Sequence, residues 1–195
     1  GTPPRRAPPA GGAAGGLDHS PRPGAPRRPP DGLRKAPTFH VRQSALSASG
    51  FQDLTGVAGD RLEKLEVYLD LLRHWGRRIN LVSQASLMDP WRRHILDSAQ
   101  LLPLLPGGGK AVLDLGSGTG LPGLVLAIMG VPRVQLVESN GRKCAFLAQA
   151  LRETGAAARL HRCRVEELTP FPAGAVTARA CAPLPKLDRK STRLN

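Results

Sequence analysis

The stretch VLDLGSGTGLPG at residues 112–123 limits the possible folds more strongly than any other part of the chain. An apolar run that contains Asp114 is followed by glycines at alternating positions, Gly116, Gly118 and Gly120. Glycine allows backbone dihedrals and close approaches to a ligand that other residues do not. An apolar strand that ends in such a loop and opens a helix is typical of a nucleotide-binding βαβ unit.

The spacing of the glycines excludes two other nucleotide loops. A dinucleotide loop, G-x-G-x-x-G, needs glycine where this chain has Leu121. A P-loop needs a hydroxyl residue directly after its lysine, and GGGKAV at residues 107–112 lacks one. A further acid, Glu138, ends the next apolar segment 18 residues after Gly120. A carboxylate near this spacing can accept hydrogen bonds from the vicinal hydroxyls of a ribose.

Strand-like and helix-like segments alternate from the glycine stretch onward. This alternation predicts right-handed βαβ units and a parallel sheet, and so an α/β fold. Helices are predicted at residues 121–130 and 141–155, the second with Gly155 as its stop. Strands are predicted at residues 110–116, 133–139, 158–164 and 175–180.

Helices are predicted before the sheet as well. Four leucines recur at intervals of three and four and indicate one face of an amphipathic helix that extends to Ile79: Leu62, Leu65, Leu69 and Leu72. Asp60 and Glu63 predict a capping box at its start. A later helix is predicted to begin with Asp89 as N-cap and Pro90 at the first helical position.

Composition divides the chain into four parts. Residues 1–50 are of low complexity, rich in Pro, Gly, Ala and Arg, and are predicted to be a disordered extension. Residues 51–106 form a predicted helical subdomain, and residues 107–187 the α/β domain. Residues 188–195, DRKSTRLN, are polar and are interpreted as a non-native tail.

The net charge of +13 lies mostly at the two ends of the chain. Residues 1–50 carry +6 and residues 186–195 carry +3, so the part between them carries only +4. A mildly basic folded part permits an RNA partner without identifying one. Three cysteines, an odd number without paired spacing, indicate reduced thiols in a cytosolic protein. No apolar run is long enough for a transmembrane helix, and no metal site is expected.

Several segments together resemble one family of enzymes. The glycine pattern alone, with its preceding acid, resembles the first motif of class I S-adenosylmethionine methyltransferases, which implies that Gly118 and Gly120 bind the cofactor. Six segments occur in one order that closely resembles RsmG, the glucose-inhibited division protein B family of bacterial 16S rRNA methyltransferases that make 7-methylguanosine: HWGRRINLVS, RRHILDS, DLGSGTGLPG, VESNGRKCAFL, CRVEEL and TARACAPL. The resemblance covers about residues 60–187 and implies a class I Rossmann-like sheet, S-adenosyl-L-methionine as cofactor, 16S rRNA or a precursor of the small ribosomal subunit as partner, and a cytoplasmic location. The oligomeric state is left open by the sequence, and a monomer is expected.

The resemblance also implies roles for individual residues. Gly116, Leu121, Val165 and Glu166 are expected to contact the cofactor, and Arg179 matches a binding-site arginine of the family. Asp114 is expected beside the cationic methionine portion of the cofactor, and Glu138 beside its ribose. Polar residues at strand ends, a glutamate at a helix start, and a structural salt bridge of Arg179 remain alternative interpretations.

No catalytic residue is assigned from the sequence. His94 and Asp97 lie one helical turn apart, where local hydrogen bonding suffices to explain them. The N7 atom of guanine carries a free lone pair, so methyl transfer to it requires no general base. Four arginines are interpreted as possible phosphate contacts, with solvated helix faces as the alternative: Arg77, Arg78, Arg92 and Arg93.

The resemblance stops near Leu187. A class I sheet has seven strands, and the chain has sequence for about four, so an incomplete sheet is expected. We therefore interpret the chain as a partial S-adenosylmethionine-binding domain of such an enzyme. Two alternatives remain open: a non-catalytic module that binds S-adenosylmethionine, and a methyltransferase of a small molecule or a protein.

Overall fold

The structure is a computed structural model that describes residues 44–179. The interpretations of residues 1–43 and of the tail at 188–195 lie outside the described residues. Five α-helices occur in the described part: α1 (Ala48–Thr55), α2 (Gly59–Gly76), α3 (Asp97–Ala99), α4 (Gly123–Ile128) and α5 (Gly141–Thr154). The strands of this part are β1 (Ala111–Leu115), β2 (Val134–Val137), β3 (Ala158–His161) and β4 (Ala173–Ala178). Shorter 3₁₀ turns cover Gln84–Met88, Leu102–Leu104 and Val165–Glu167, and a π-helical turn covers Trp91–Leu96.

The four strands form one parallel sheet in the order β3-β2-β1-β4. The predicted α/β fold with a parallel sheet is thus confirmed. All five residues of β1 are buried, as expected of an inner strand covered on both faces. Because the strands are parallel, their carboxyl ends meet at one edge, which is where ligands of such sheets bind.

The helix α5 follows its sequence signals closely. The side-chain oxygen of Asn140 accepts hydrogen bonds from the N–H groups of Arg142 and Lys143, at 3.0 and 3.1 Å. Gly155 ends the helix in the left-handed conformation, with φ of 62°. Both signals lie within a few residues of the helix ends and depend on local geometry alone.

Three details of the helical part differ from the sequence predictions. The capping box at Asp60 is wrong, because Ala58 precedes the helix without a side-chain cap and Asp60 lies within the first turn. The helix α2 ends at Gly76 rather than extending to Ile79. The helix α1 begins at Ala48, inside the segment predicted to be disordered, and the Ser47 hydroxyl caps it by accepting the Gly50 N–H at 3.0 Å.

The helix predicted at Asp89 is also less regular than expected. It begins as a π-helical turn, and the Asp89 carboxylate accepts hydrogen bonds from the N–H groups of Arg92, at 3.3 Å, and of Leu46, at 3.0 Å. The second of these bonds ties the helix to the segment before α1. A tertiary contact of this kind leaves no trace in local sequence.

The helical part and the sheet share one hydrophobic core. Aromatic pairs connect their elements: Phe51 of α1 lies 5.4 Å from Trp91, and Tyr68 of α2 lies 6.3 Å from Phe146 of α5, between ring centroids. The predicted helical subdomain at residues 51–106 therefore packs on the α/β part without a separate core. Of the two cysteines in the described part, Cys144 is buried and Cys163 half-buried, and neither forms a disulfide.

Candidate functional site

A cleft of about 340 Å³ opens at the carboxyl ends of β1 and β4. We call it the loop cleft, because residues 116–119 and Leu121 of the glycine loop line it. Its size falls within the range of small-molecule sites, roughly 300–1,000 Å³. The remaining wall comes from four other parts of the chain: Leu81, Val82, Ser83 and Ser86; Arg93 and His94; Lys143; and Arg179.

The glycines of the loop serve two different purposes. Gly118 has φ of 59°, and a Cβ there would meet only the Gly116 carbonyl oxygen, at 3.6 Å. Glycine is required at this position by the left-handed backbone rather than by lack of space. Gly120 also has a positive φ, of 85°, and a Cβ there would lie 2.6 Å from the Leu124 Cβ of α4, so both the backbone and helix packing require glycine. Gly116 and Gly118 line the cleft, whereas Gly120 does not.

Glu138 holds the glycine loop through a hydrogen bond to its backbone. Its side chain is 8% exposed, and its Oε2 atom accepts a 2.9 Å hydrogen bond from the Gly118 N–H. Its Oε1 atom accepts a 2.7 Å hydrogen bond from the Asn140 N–H. One carboxylate thus joins the glycine loop to the start of α5. Glu138 is not part of the cleft wall, although each oxygen retains a further lone pair.

Asp114 lies beneath the loop and is completely buried. Its Oδ1 atom accepts a 2.8 Å hydrogen bond from the Thr177 hydroxyl of β4, and its Oδ2 atom has no hydrogen-bond partner within the described residues. A Cβ at Gly123 would lie 2.7 Å from Oδ2, which explains the glycine of the LPG sequence. Burial raises the pKa of the Asp114 carboxyl above its ordinary value. The cleft wall does not include Asp114.

The hydroxyl of Tyr68 reaches the glycine loop from α2. It donates a 2.8 Å hydrogen bond to the Thr119 carbonyl oxygen, and the tyrosine is completely buried. Burial raises the pKa of the Tyr68 hydroxyl, which therefore stays protonated as the donor. Sequence analysis missed this residue, because a tyrosine among the apolar positions of a helix has the pattern of an ordinary core residue.

His94 is a buried, uncharged member of the cleft wall. The Ser86 hydroxyl donates to the Ser83 carbonyl oxygen at 2.6 Å, so it can only accept from the His94 Nε2 atom, at 3.1 Å. The proton of the imidazole is therefore on Nε2, and the buried Nδ1 atom has a lone pair without a partner in the described residues. Burial, and then the charges of Arg179 and Arg93, lower the pKa of His94.

Arg179 both forms a salt bridge and lines the cleft. Its Nη1 atom lies 3.0 Å from the Asp97 Oδ2 atom, and its Nη2 atom donates to the Arg93 carbonyl oxygen at 3.2 Å. Asp97 therefore pairs with this arginine, which directly follows β4, and not with His94. Together with Arg93 and Lys143, Arg179 gives the cleft wall three cationic side chains.

Val165 and Glu166 lie in the 3₁₀ turn after β3, outside the cleft wall. Val165 packs against a small apolar cluster that includes Leu113 and Val137. The cleft thus brings together four of the residues that were expected to bind cofactor: Gly116, Gly118, Leu121 and Arg179. The others lie behind or beside it: Asp114, Gly120, Glu138, Val165 and Glu166.

Within residues 44–179, no group of His, Cys, Asp and Glu side chains could hold a metal ion. None of the helices in the same range is both long enough and apolar enough to span a bilayer.

Comparison with known proteins gives a consistent family. The family model for GidB, rRNA small subunit methyltransferase G, matches residues 61–195. A protein of Rhodospirillum rubrum named ribosomal RNA small subunit methyltransferase G is 58% identical over 131 residues, which are 67% of this chain and 65% of that protein. A protein of the same name from Rhodospirillum centenum is 53% identical over 143 residues, which are 73% of this chain and 66% of that protein. The chain thus spans slightly less than two thirds of the length of these relatives.

Similarity to solved structures is weaker. The structure of a Pyrococcus horikoshii protein aligns with 60% of this chain and 59% of its own, at 21% sequence identity and a TM-score of 0.42. A similarity of this extent carries no weight for the fold or the function.

Proposed function

We propose that this chain, which belongs to the GidB family of rRNA small subunit methyltransferase G, binds S-adenosylmethionine in the loop cleft and acts in methylation of guanine N7 in 16S rRNA. The chain spans 65% of the length of its relative from Rhodospirillum rubrum. We therefore propose, for this chain, the activity of the whole enzyme together with its substrate and its partner. Ribosomal RNA as substrate also implies that the protein acts in the cytoplasm.

The observation that carries the proposal is the bond between Glu138 and the glycine loop. The carboxylate accepts the Gly118 N–H at 2.9 Å and holds the loop at the carboxyl ends of the strands, beside the cleft. The backbone of Gly116 and Gly118 is free of side chains on the cleft wall, which allows a ligand to approach closely. The remaining lone pairs of Glu138 suit the two hydroxyls of a ribose. These residues fit the nucleoside part of S-adenosylmethionine.

The cationic wall of the cleft suits two anionic groups. S-adenosylmethionine has a carboxylate, and an RNA strand has a phosphate at every nucleotide. Arg93, Lys143 and Arg179 are close enough to the same cleft to bind either group. The Asp97 carboxylate and the Arg93 carbonyl oxygen hold Arg179 in place, so its guanidinium is positioned before a ligand arrives.

The chemistry requires little of the protein beyond positioning. When bound, S-adenosylmethionine supplies a methyl group made electrophilic by its sulfonium. Guanine N7 has a free lone pair, so no residue has to remove a proton before transfer. The residues of the cleft would hold the two reactants in line and exclude water from them. His94 is uncharged at neutral pH, because its pKa is lowered, and it can accept a hydrogen bond through Nδ1.

Two measurements test the proposal. Calorimetry should find binding of S-adenosylhomocysteine and none of NAD, because Leu121 replaces the third glycine of a dinucleotide loop. Tritiated S-adenosylmethionine should then label 16S rRNA from cells that lack this methylation, at a site cleaved by borohydride and aniline, which is specific for 7-methylguanosine. Tight NAD binding would overturn the cofactor assignment. Cofactor binding without labelled rRNA would favour a non-catalytic binding module.

A further inference from the structure

A second cavity, of about 350 Å³, lies between the end of α2 and the start of α5. We call it the basic cavity, since four cationic side chains line it: Arg77, Arg78, Arg142 and Lys143. Gly76, Ile79, Asn80 and Asn140 complete its wall. No acidic residue is part of the lining, so the cavity is suited to an anion.

Three arginines outside the basic cavity have an acidic partner, whereas the four cations that line the cavity have none in the described part of the chain. Arg73 lies 2.7 Å from Asp70, Arg92 lies 3.1 Å from Asp89, and Arg179 forms the salt bridge with Asp97. Within residues 44–179, no ion pair involves a cation of the basic cavity. Four like charges around one cavity repel each other, and a bound anion would relieve that repulsion.

Side chains rather than backbone amides would hold the anion. The Asn140 side chain already accepts the N–H groups of Arg142 and Lys143 at the start of α5. Two of the backbone N–H groups that a helix start offers to anions are therefore occupied here. Guanidinium groups bind phosphate oxygens through two parallel hydrogen bonds, which makes arginine the preferred residue for such contacts.

The basic cavity adjoins the loop cleft. Residues 76–80 line the basic cavity, and Leu81, Val82 and Ser83, which follow directly, line the loop cleft. Lys143 lines both cavities. A strand that places one base in the loop cleft therefore has the basic cavity within reach of its backbone.

We infer that the basic cavity binds a phosphodiester group of the RNA strand, next to the nucleotide whose base enters the loop cleft. The inference rests on the proposed function for the identity of the strand. Phosphate contacts of this kind position a nucleic acid without reading its sequence. They also make binding depend steeply on salt, because each neutralised phosphate releases counterions.

The test compares two variants of the full 195-residue chain. One carries Arg77→Gln and Arg78→Gln in the basic cavity. The control carries Arg152→Gln. Arg152 is an exposed arginine in the last turn of α5 and has no ion pair in the described residues. Filter binding of 16S rRNA transcribed in vitro is measured from 50 to 300 mM KCl, and S-adenosylhomocysteine binding is measured by calorimetry on the same samples.

The double variant should bind the rRNA at least about tenfold more weakly at 100 mM KCl. The slope of log K against log salt should fall in magnitude by about 0.7 to 0.9, the value for one lost phosphate contact. The control should keep the affinity and slope of the unchanged chain. All three proteins should bind S-adenosylhomocysteine equally, which also shows that they are folded.

Other results would overturn the inference. One is that the double variant and the control have equal slopes of log K against log salt. The other is that the unchanged chain does not bind the rRNA. Inorganic phosphate, compared with chloride at equal ionic strength, should weaken rRNA binding more in the unchanged chain than in the double variant, because the free ion competes for the basic cavity. Equal weakening in the two proteins would contradict the inference. If the unchanged chain did not bind S-adenosylhomocysteine, the proposed function would be contradicted. Calorimetry shows this independently of the rRNA measurement, so the two failures can be distinguished.

Discussion

The hydroxyl of Tyr68 donates a 2.8 Å hydrogen bond to the carbonyl oxygen of Thr119, across 51 positions of the sequence. This bond joins the long helix α2 to the glycine loop, and both groups are buried. The helical part before the sheet thus contributes directly to the shape of the loop cleft.

Tyr68→Phe should therefore weaken cofactor binding as well as stability. The substitution leaves a buried carbonyl oxygen without its donor, which costs about 1–3 kcal/mol of unfolding free energy. Urea unfolding and S-adenosylhomocysteine calorimetry would both show a loss. The control is Gln149→Met, which removes the 3.0 Å bond to the Trp75 indole between α2 and α5, away from the cleft. If Tyr68→Phe lost no more ligand affinity than this control, the bond between Tyr68 and Thr119 would not shape the loop cleft.

Glu138→Gln should loosen the glycine loop. Both carboxylate oxygens accept backbone N–H groups, from Gly118 and Asn140. A glutamine has a single acceptor oxygen, so its amide group would face one of these donors. We expect a loss of about 1–3 kcal/mol in stability and of more than tenfold in S-adenosylhomocysteine affinity. Glu153→Gln is the control, because Glu153 binds the Gln149 side chain on the exposed face of α5. It should change neither stability nor ligand affinity. Unchanged ligand affinity in Glu138→Gln would show that the loop holds its shape without the carboxylate.

Gly118→Ala should lose ligand binding with only a modest loss of stability. Its φ of 59° costs an alanine about 1–2 kcal/mol, and no atom except the Gly116 carbonyl oxygen is near the added Cβ. Gly155→Ala is a matched control, with φ of 62° and no atom within 4 Å of the added Cβ. The two variants should melt at similar temperatures, and only Gly118→Ala should bind S-adenosylhomocysteine more weakly. Equal binding by both would mean that the ligand does not lie against Gly118.

The buried Asp114 should make stability decrease as pH rises. Its pKa in the folded chain is raised above the ordinary value of 3.8, so the folded state keeps a proton that the unfolded state releases. Stability from this group is present below pH 3.8 and is lost as pH rises toward the folded pKa. Melting temperatures from pH 3.5 to 8 should therefore show a decrease in the unchanged chain relative to Asp114→Asn, which cannot release a proton. Parallel curves for the two proteins would contradict a raised pKa.

Local patterns in the sequence were sufficient for the parts of the fold that local geometry determines. The alternation of strands and helices predicted the parallel sheet, and Gly155 predicted the end of α5. The glycine pattern also located the loop at the carboxyl end of β1. These signals succeed because each acts over a few residues, through hydrogen-bond geometry or the φ values that glycine allows.

The supporting interactions of the site could not be predicted, because they join distant parts of the chain. Nothing near Gly120 in sequence shows that a Cβ there would lie 3.1 Å from the Leu147 side chain of α5. The position of Asp114 beneath the loop, with Thr177 as its partner, depends on the pairing of β1 with β4. The salt bridge between Arg179 and Asp97 likewise depends on where β4 ends.

The central claim is that the glycine loop forms one wall of a site for S-adenosylmethionine. A crystal structure of this chain grown with S-adenosylhomocysteine tests it most directly. We expect the ligand in the loop cleft, against the backbone of Gly116 and Gly118, with its ribose hydroxyls on the Glu138 carboxylate. A ligand bound elsewhere on the chain, or crystals that stay empty at saturating ligand while the loop keeps its conformation, would contradict the claim.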